Sequence, residues 1–367
     1  MTAGGVSVGI NDPELAETAR KAAERLVADG VPRALAAKTA TLWGPDAESE
    51  AARRLGWVDL PVSSRALLPR LAELRDTVRS SGAERVVLAG MGGSSLAPEV
   101  IARTVGAELL VLDTTDPHQV HRVLSERLDR TVVVVSSKSG TTIETDSHRR
   151  IFEQAFRGAG RTDDLTSRFV VVTDPGTSLA RYAREAGYPV VEADPNVGGR
   201  YSALSAFGLV PTALAGIDVE PLLDEAATVA PTLSAASDNP GLALGSVFGA
   251  GAVAGRDKIV LADNGSGMSG FGDWAEQLLA ESTGKQGRGL LPVVVEGTGA
   301  PGFSGGDDEH LLALGESAGP ATSVSGPLGA QFLVWEYATA LAGRIIGINP
   351  FDQPNVQESK DNTNALL

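Results

Sequence analysis

The chain has 367 residues, a formal net charge of −15 and no cysteine. That length suits two domains with separate cores, and the charge opposes nucleic-acid binding while leaving room for a small anion in a locally positive pocket. The missing cysteines exclude disulfides, Cys-ligated zinc, iron–sulfur clusters and a thiol nucleophile.

The opening "MTAGGVSVGINDPELAE" lacks the basic and apolar regions of a signal peptide, and no apolar stretch approaches a membrane span. A cytoplasmic soluble protein is the expectation. Residues 13 to 80 read as helices, since "PELAETARKAAERLVADG" carries apolar positions at helical spacing and Gly30 is a natural stop. The pattern then changes. "RVVLAG" (85–90), "LLVLDT" (109–114), "TVVVVS" (131–136), "FVVVTD" (169–174) and "PVVEAD" (189–194) are short, almost continuous apolar runs. Such runs fit parallel strands buried on both faces. Amphipathic stretches such as "APEVIARTVG", "PHQVHRVLSERL" and "TDSHRRIFEQAFRG" separate them, which predicts a doubly wound α/β layer.

A helical interval follows from about 203 to 254. "KIVLAD" (258–263) and "LLPVVVEG" (290–297) predict further strands, with the helix-like "GDWAEQLLAEST" between them. "GTGAPGFSGGDDE" (297–309) reads as a surface loop, and "AQFLVWEYATALAGRIIG" (330–347) as a buried helix. The expected layout is an N-terminal helical segment (1–65), a first α/β domain (66–215), linking helices (216–255), a second α/β domain (256–350) and a C-terminal helix (351–367).

Chemistry gathers where first-domain strands end in small polar turns. "RVVLAG" runs into "MGGSSLAPEV", and "TVVVVS" into "SKSGTTIET". Ligands of doubly wound sheets bind beyond the carboxyl ends of the strands. Backbone N–H groups at a helix N-terminus, with nearby hydroxyls, make a nest for an anion. Ser137, Ser139, Thr141 and Thr142 can all donate to phosphate oxygens. An ordinary helix cap completed by Glu144 would need only one of them. Neither the dinucleotide fingerprint nor the Walker pattern is present, so a single phosphate group is favoured and no cofactor is expected. In "DPNVGGRYSALSAFG" (194–208), paired glycines precede Arg200, a surface ion pair being the plainer alternative. "WAEQLLAESTGKQG" puts Gln277 and Glu281 four apart on one helical face, where a lone glutamate is usually a solvated charge.

Together, "GMGGSSLAPEV", "SSKSGTTIET", "NVGGRYSALSAFG", "AESTGK" and "NPFDQPNVQESK" resemble the glucose-6-phosphate isomerase family, in its order, over about residues 85 to 360. The resemblance implies two flavodoxin-like sugar-isomerase domains with parallel sheets. It implies reversible conversion of glucose 6-phosphate to fructose 6-phosphate through a cis-enediol, in glycolysis and gluconeogenesis. It also implies a homodimer, to which the apolar helix 330–347 could contribute surface. Gly93, Ser94, Ser137, Lys138, Ser139 and Thr142 would hold the substrate and its phosphate, with Ser139 standing where many members have threonine. Arg200 would stabilise developing negative charge, Gln277 would help position the sugar and Glu281 would be the base. Gln353 and Lys360 would close the pocket. The scheme needs no metal, and no His/carboxylate cluster is visible.

The departure concerns histidine, which in the family assists ring opening. The chain has only His118, His121, His148 and His310. The first three are expected on helix surfaces, and "GGDDEHLLAL" around His310 does not match the family's pattern and reads as loop. Some relatives of this subtype continue considerably further than the equivalent of Leu367, and the two expectations are an incomplete polypeptide or a ring-opening group from elsewhere. Two alternatives stand beside the main reading. One is a dual phosphoglucose/phosphomannose isomerase and the other a non-catalytic phosphosugar-binding module.

Overall fold

A computed structural model describes residues 1–354 together with 356, 362, 363, 365 and 366. The chain divides into two compact units. One comprises Gly56–Ala227 with Gly267–Trp274, and the other Met1–Leu55, Thr228–Ser266 and Ala275–Leu367.

The first unit is built on five parallel strands. Across the sheet they run Leu110–Leu112, Arg85–Gly90, Thr131–Ser136, Phe169–Thr173 and Val190–Glu192. Every residue of Arg85–Gly90, Thr131–Ser136 and Phe169–Thr173 is buried, which is why these strands read as unbroken apolar runs. Numbered along the chain within this unit, the order is 2-1-3-4-5, the flavodoxin-like arrangement. The order reverses at Arg85–Gly90, so its carboxyl end and that of Thr131–Ser136 lie side by side, with Gly90 paired to Ser136. Ligand sites of such sheets form at this reversal.

Helix Ile143–Gly158 packs beneath by burying Thr145, His148, Arg149, Phe152, Glu153 and Phe156, a spacing of three and four that keeps one face inward. Phe152 and Phe156 enter the core around Val133, Val135 and Phe169. The Arg149–Glu153 pair on this face is satisfied internally at 2.8 Å, and Tyr182 and Tyr188 donate their hydroxyls to Glu153.

The second unit has a six-stranded sheet in the order Thr2–Ala3, Val6–Ile10, Thr322–Ser325, Glu309–Gly315, Lys258–Asn264, Leu291–Val295. Its last four strands are parallel to one another. The N-terminal hairpin joins antiparallel, with Val8 opposite Val324. The expected N-terminal helical segment 1–65 therefore begins as a sheet edge, and Met1–Leu55 belongs with the second sheet. Val6 and Val8 drive this, since they alternate with less buried neighbours and place one apolar face on the core.

The linking helices also differ from expectation. Pro240–Val253 is part of the second unit's core, packed along Leu328–Ile346. A Cβ on Gly245 would stand 2.7 Å from the Ala338 carbonyl oxygen, so the two backbones approach closely only because that side chain is missing. Leu328–Ile346 is buried from Leu328 to Gly343, covered within its own unit, and offers no apolar face to a second subunit. Among the described residues no helix is long and apolar enough to cross a membrane. Of the expected C-terminal helix 351–367, residues 355, 357–361, 364 and 367 lie outside the described residues.

Candidate active site

Two groups of side chains carry chemistry, one in each unit. In the first unit the loop from Ser137 to Thr142 leaves the carboxyl end of strand Thr131–Ser136 and enters helix Ile143–Gly158. Thr142 occupies the N-cap position in extended backbone, yet its side chain caps no backbone N–H. Its hydroxyl instead lies 3.0 Å from the Ser137 hydroxyl. Ser139 and Thr141 form a second such pair at 3.0 Å. The first N–H groups of a 16-residue helix thus lie beside hydroxyls that face one another. That arrangement suits the oxygens of a tetrahedral anion. Ser136, fully buried at the strand end, has a hydroxyl with no partner among the described residues; its place in an apolar run hid it from the sequence reading.

The neighbouring Gly92–Ser94 turn is held against the turn that carries Arg200 by backbone fit. A Cβ on Gly93 would lie 2.2 Å from the carbonyl oxygen of Gly199. The missing side chain lets the Gly92–Ser94 turn rest on the Gly199–Tyr201 turn. Ser202 fastens the contact by donating to the Gly199 carbonyl at 2.5 Å, with the Gly93 carbonyl oxygen 3.2 Å from the same hydroxyl. Ser94 and Arg200 are thereby brought into one neighbourhood, both buried. Tyr201 stacks on Trp57 with ring centroids 5.3 Å apart and fixes the turn that carries Arg200.

Lys138, expected at the phosphate, has a carboxylate beside it. Its ammonium lies 2.6 Å from the Asp174 carboxylate, so its charge is matched within the unit. Asp174, at the end of strand Phe169–Thr173, is a partner the sequence reading did not anticipate.

In the second unit, Glu281 lies in the last turn of helix Phe271–Thr283. Gln277, one turn earlier, donates its amide to one carboxylate oxygen at 2.9 Å. Gln353, distant in sequence, donates to the other at 2.6 Å. Both glutamines, expected to contact the sugar or close the pocket, here orient the carboxylate. An amide donor on each oxygen fixes the plane of the group. Lys360 lies outside the described residues.

Two histidines also depart from expectation. His310 is no loop residue. It lies on strand Glu309–Gly315, fully buried, with Nε2 2.7 Å from the Thr322 hydroxyl. Burial, aided by the nearby Arg256 guanidinium, pushes its pKa down to about 3. His148 is not a surface residue either. It is buried on the inner face of helix Ile143–Gly158, with Nε2 2.9 Å from the Thr114 carbonyl oxygen, and burial lowers its pKa. His118 and His121 are exposed.

A flavodoxin-order sheet with a hydroxyl-rich loop at its reversal, followed by a second parallel-stranded unit, defines an α/β protein of the phosphosugar-isomerase kind. The family model described as phosphoglucose isomerase matches residues 70–288, and the chain belongs to that family. A glucose-6-phosphate isomerase of Rubrobacter xylanophilus is 31% identical over 388 residues, covering 85% of this chain and 89% of the relative. A probable glucose-6-phosphate isomerase of Haloarcula marismortui is 37% identical over 219 residues, covering 58% of this chain. The chain spans about half the length of this relative and of one from Haloquadratum walsbyi, 49% and 55%. In fold, the chain is similar to a glucose-6-phosphate isomerase crystal structure from Chlamydia trachomatis. The TM-score is 0.79 at 19% identity, covering 100% of this chain and 89% of that one.

Proposed function

We propose that the protein interconverts glucose 6-phosphate and fructose 6-phosphate by moving a proton between C1 and C2 through a cis-enediol. The observation that carries this reading is the Glu281 carboxylate, oriented by an amide on each oxygen inside the family-matching stretch. The reaction needs one group that takes the proton from one carbon and returns it to the next. A carboxylate held in a single plane can do both, a contribution of about 10²–10⁴-fold. Arg200 supplies a guanidinium that cannot lose its proton and so remains positive while charge builds on the enediolate oxygen.

The phosphate is held by the hydroxyls of Ser94, Ser137, Ser139 and Thr142 and by the first N–H groups of helix Ile143–Gly158. Gly93 lets the turn beside them form. Lys138 acts through its pair with Asp174, which ties the loop to the end of strand Phe169–Thr173. Lys360 keeps its family role of closing the pocket. A cytoplasmic setting agrees with a chain free of cysteine. A homodimer stays in the reading on the family resemblance alone. The test is a coupled assay of fructose 6-phosphate conversion by the 367-residue chain. Conversion that depends on Glu281 supports the assignment; sugar-phosphate binding without turnover would make the protein a sensor.

A further inference from the structure

Glu281's second amide donor arrives from far along the chain, and the turn just after the glutamate's own helix grips the segment that brings it. Lys285 is buried, and its ammonium lies 2.5 Å from the Asp352 carboxylate and 2.9 Å from the Asp352 carbonyl oxygen. Gln353 is the next residue. Three residues beyond Lys285, Arg288 donates to the carbonyl oxygen of Ile346 at 3.1 Å, at the end of helix Leu328–Ile346. Between these two grips, Phe351 is buried with its ring edge-on to Trp43 at 4.7 Å.

The turn itself is closed by its own main chain. Lys285 and Arg288 exchange backbone hydrogen bonds of 3.1 and 3.0 Å, with Gln286 and Gly287 at positive φ between them. This hydrogen-bonded turn, just after the helix that carries Glu281, therefore grips both ends of residues 346 to 352, and Gln353 follows at the end of that path with its amide on the carboxylate.

We propose that Lys285 is a positioning residue for the proton transfer, on the footing that Glu281 is the base. Through Asp352 it holds Gln353 against one oxygen of Glu281, so that the carboxylate keeps its plane as the proton passes between adjacent carbons. Lys285 does not touch the sugar. A buried ammonium needs a matched anion, and here it has one whose main chain leads directly to the second amide. Exposed, the same lysine would contribute little, because a surface pair neither excludes water nor fixes geometry.

A double-mutant cycle on the full chain tests this. Initial rates with fructose 6-phosphate are measured for Lys285→Met, Asp352→Ala and Gln353→Met, and for each of the first two combined with the third. Circular dichroism and thermal melts accompany every variant. Lys285→Met and Asp352→Ala should each lower kcat by about tenfold, with KM changed by no more than about twofold. In the Gln353→Met background either should cost less than about twofold more, since their effect passes through that amide. Lys285→Arg, which restores the cation, should recover part of kcat.

Unchanged kcat in the two single variants would overturn the proposal, as would equal losses with and without Gln353. Asp352 is half-exposed, so its variant remains informative where Lys285→Met fails to fold. Glu281→Gln is the separate control: if it turns over normally, the identity of the base is wrong, whatever the cycle shows.

Discussion

The two units prepare their chemistry in opposite ways. In the first, polar groups of one loop, Ser137 to Thr142, lie within a few residues of each other and are ordered by the strand before and the helix after. The hydroxyls are neutral and pair among themselves at 3.0 Å, ready to exchange those bonds for an anion. In the second, a single carboxylate is held by donors from Gln277 and Gln353, and the latter depends on Lys285 and Asp352. The local arrangement should lose function in proportion to the donors removed. The long-range arrangement concentrates its function in one group and should fail all at once.

The largest effect expected is therefore Glu281→Gln. The amide is almost isosteric but cannot take a proton, so turnover should fall by about 10²–10⁴-fold. Affinity for 6-phosphogluconate should stay near that of the unaltered chain, since the phosphate loop is untouched. Steady-state rates and calorimetry separate the two outcomes; a parallel loss of binding would mean that the two arrangements are not independent.

The loop should respond by steps. Ser137→Ala and Thr142→Ala each remove a donor to a charged group, worth roughly 1.5–3 kcal/mol, and the pair together should weaken 6-phosphogluconate binding more than either alone. Unchanged affinity would reduce the loop to a helix entry. Gly93→Ala should act on geometry instead. A methyl group 2.2 Å from the Gly199 carbonyl forces the two turns apart, at a cost of about 1–3 kcal/mol, and should raise KM through Ser94 and Arg200 together. Normal KM in this variant would show that the close fit of those turns is not used.

The same contrast explains what could be seen in the sequence. "TVVVVS" announces its strand because a parallel sheet covered on both faces demands apolar residues throughout. Gln277 and Glu281 are legible as a pair because a helix turns once in about four residues. The tie between Lys285 and Asp352 is not, although both stand inside recognisable stretches, since nothing local says that residues so far apart will meet. The N-terminal strand Val6–Ile10 escaped because five residues with two buried valines look like the approach to a helix. Strand Glu309–Gly315 escaped for a different reason: an acidic glycine-rich loop precedes it, and its second residue is histidine.

That histidine supplies the smallest effect, and a test of whether the second unit holds any catalytic group besides those around Glu281. Fully buried beside Thr322, His310 has a folded-state pKa of about 3, below the ordinary value of 6.5. The unfolded chain therefore binds this proton first as the pH falls. The stability His310 contributes is complete above about pH 6.5 and is lost between 6.5 and 3, at about 1.4 kcal/mol per pH unit. His148, also buried with a lowered pKa, adds to the loss with the same sign. His310→Gln removes one titration and keeps a polar side chain facing Thr322. Denaturant unfolding at pH 7.5 and at pH 5.5 should then show the acid-side loss shrinking by about 1.4 kcal/mol. Because a buried imidazole that stays neutral cannot reach or protonate a sugar ring, kcat for glucose 6-phosphate should change by less than about twofold. A loss of tenfold or more, in a variant whose melting temperature is unchanged, would make His310 the ring-opening residue and require this strand to open during turnover.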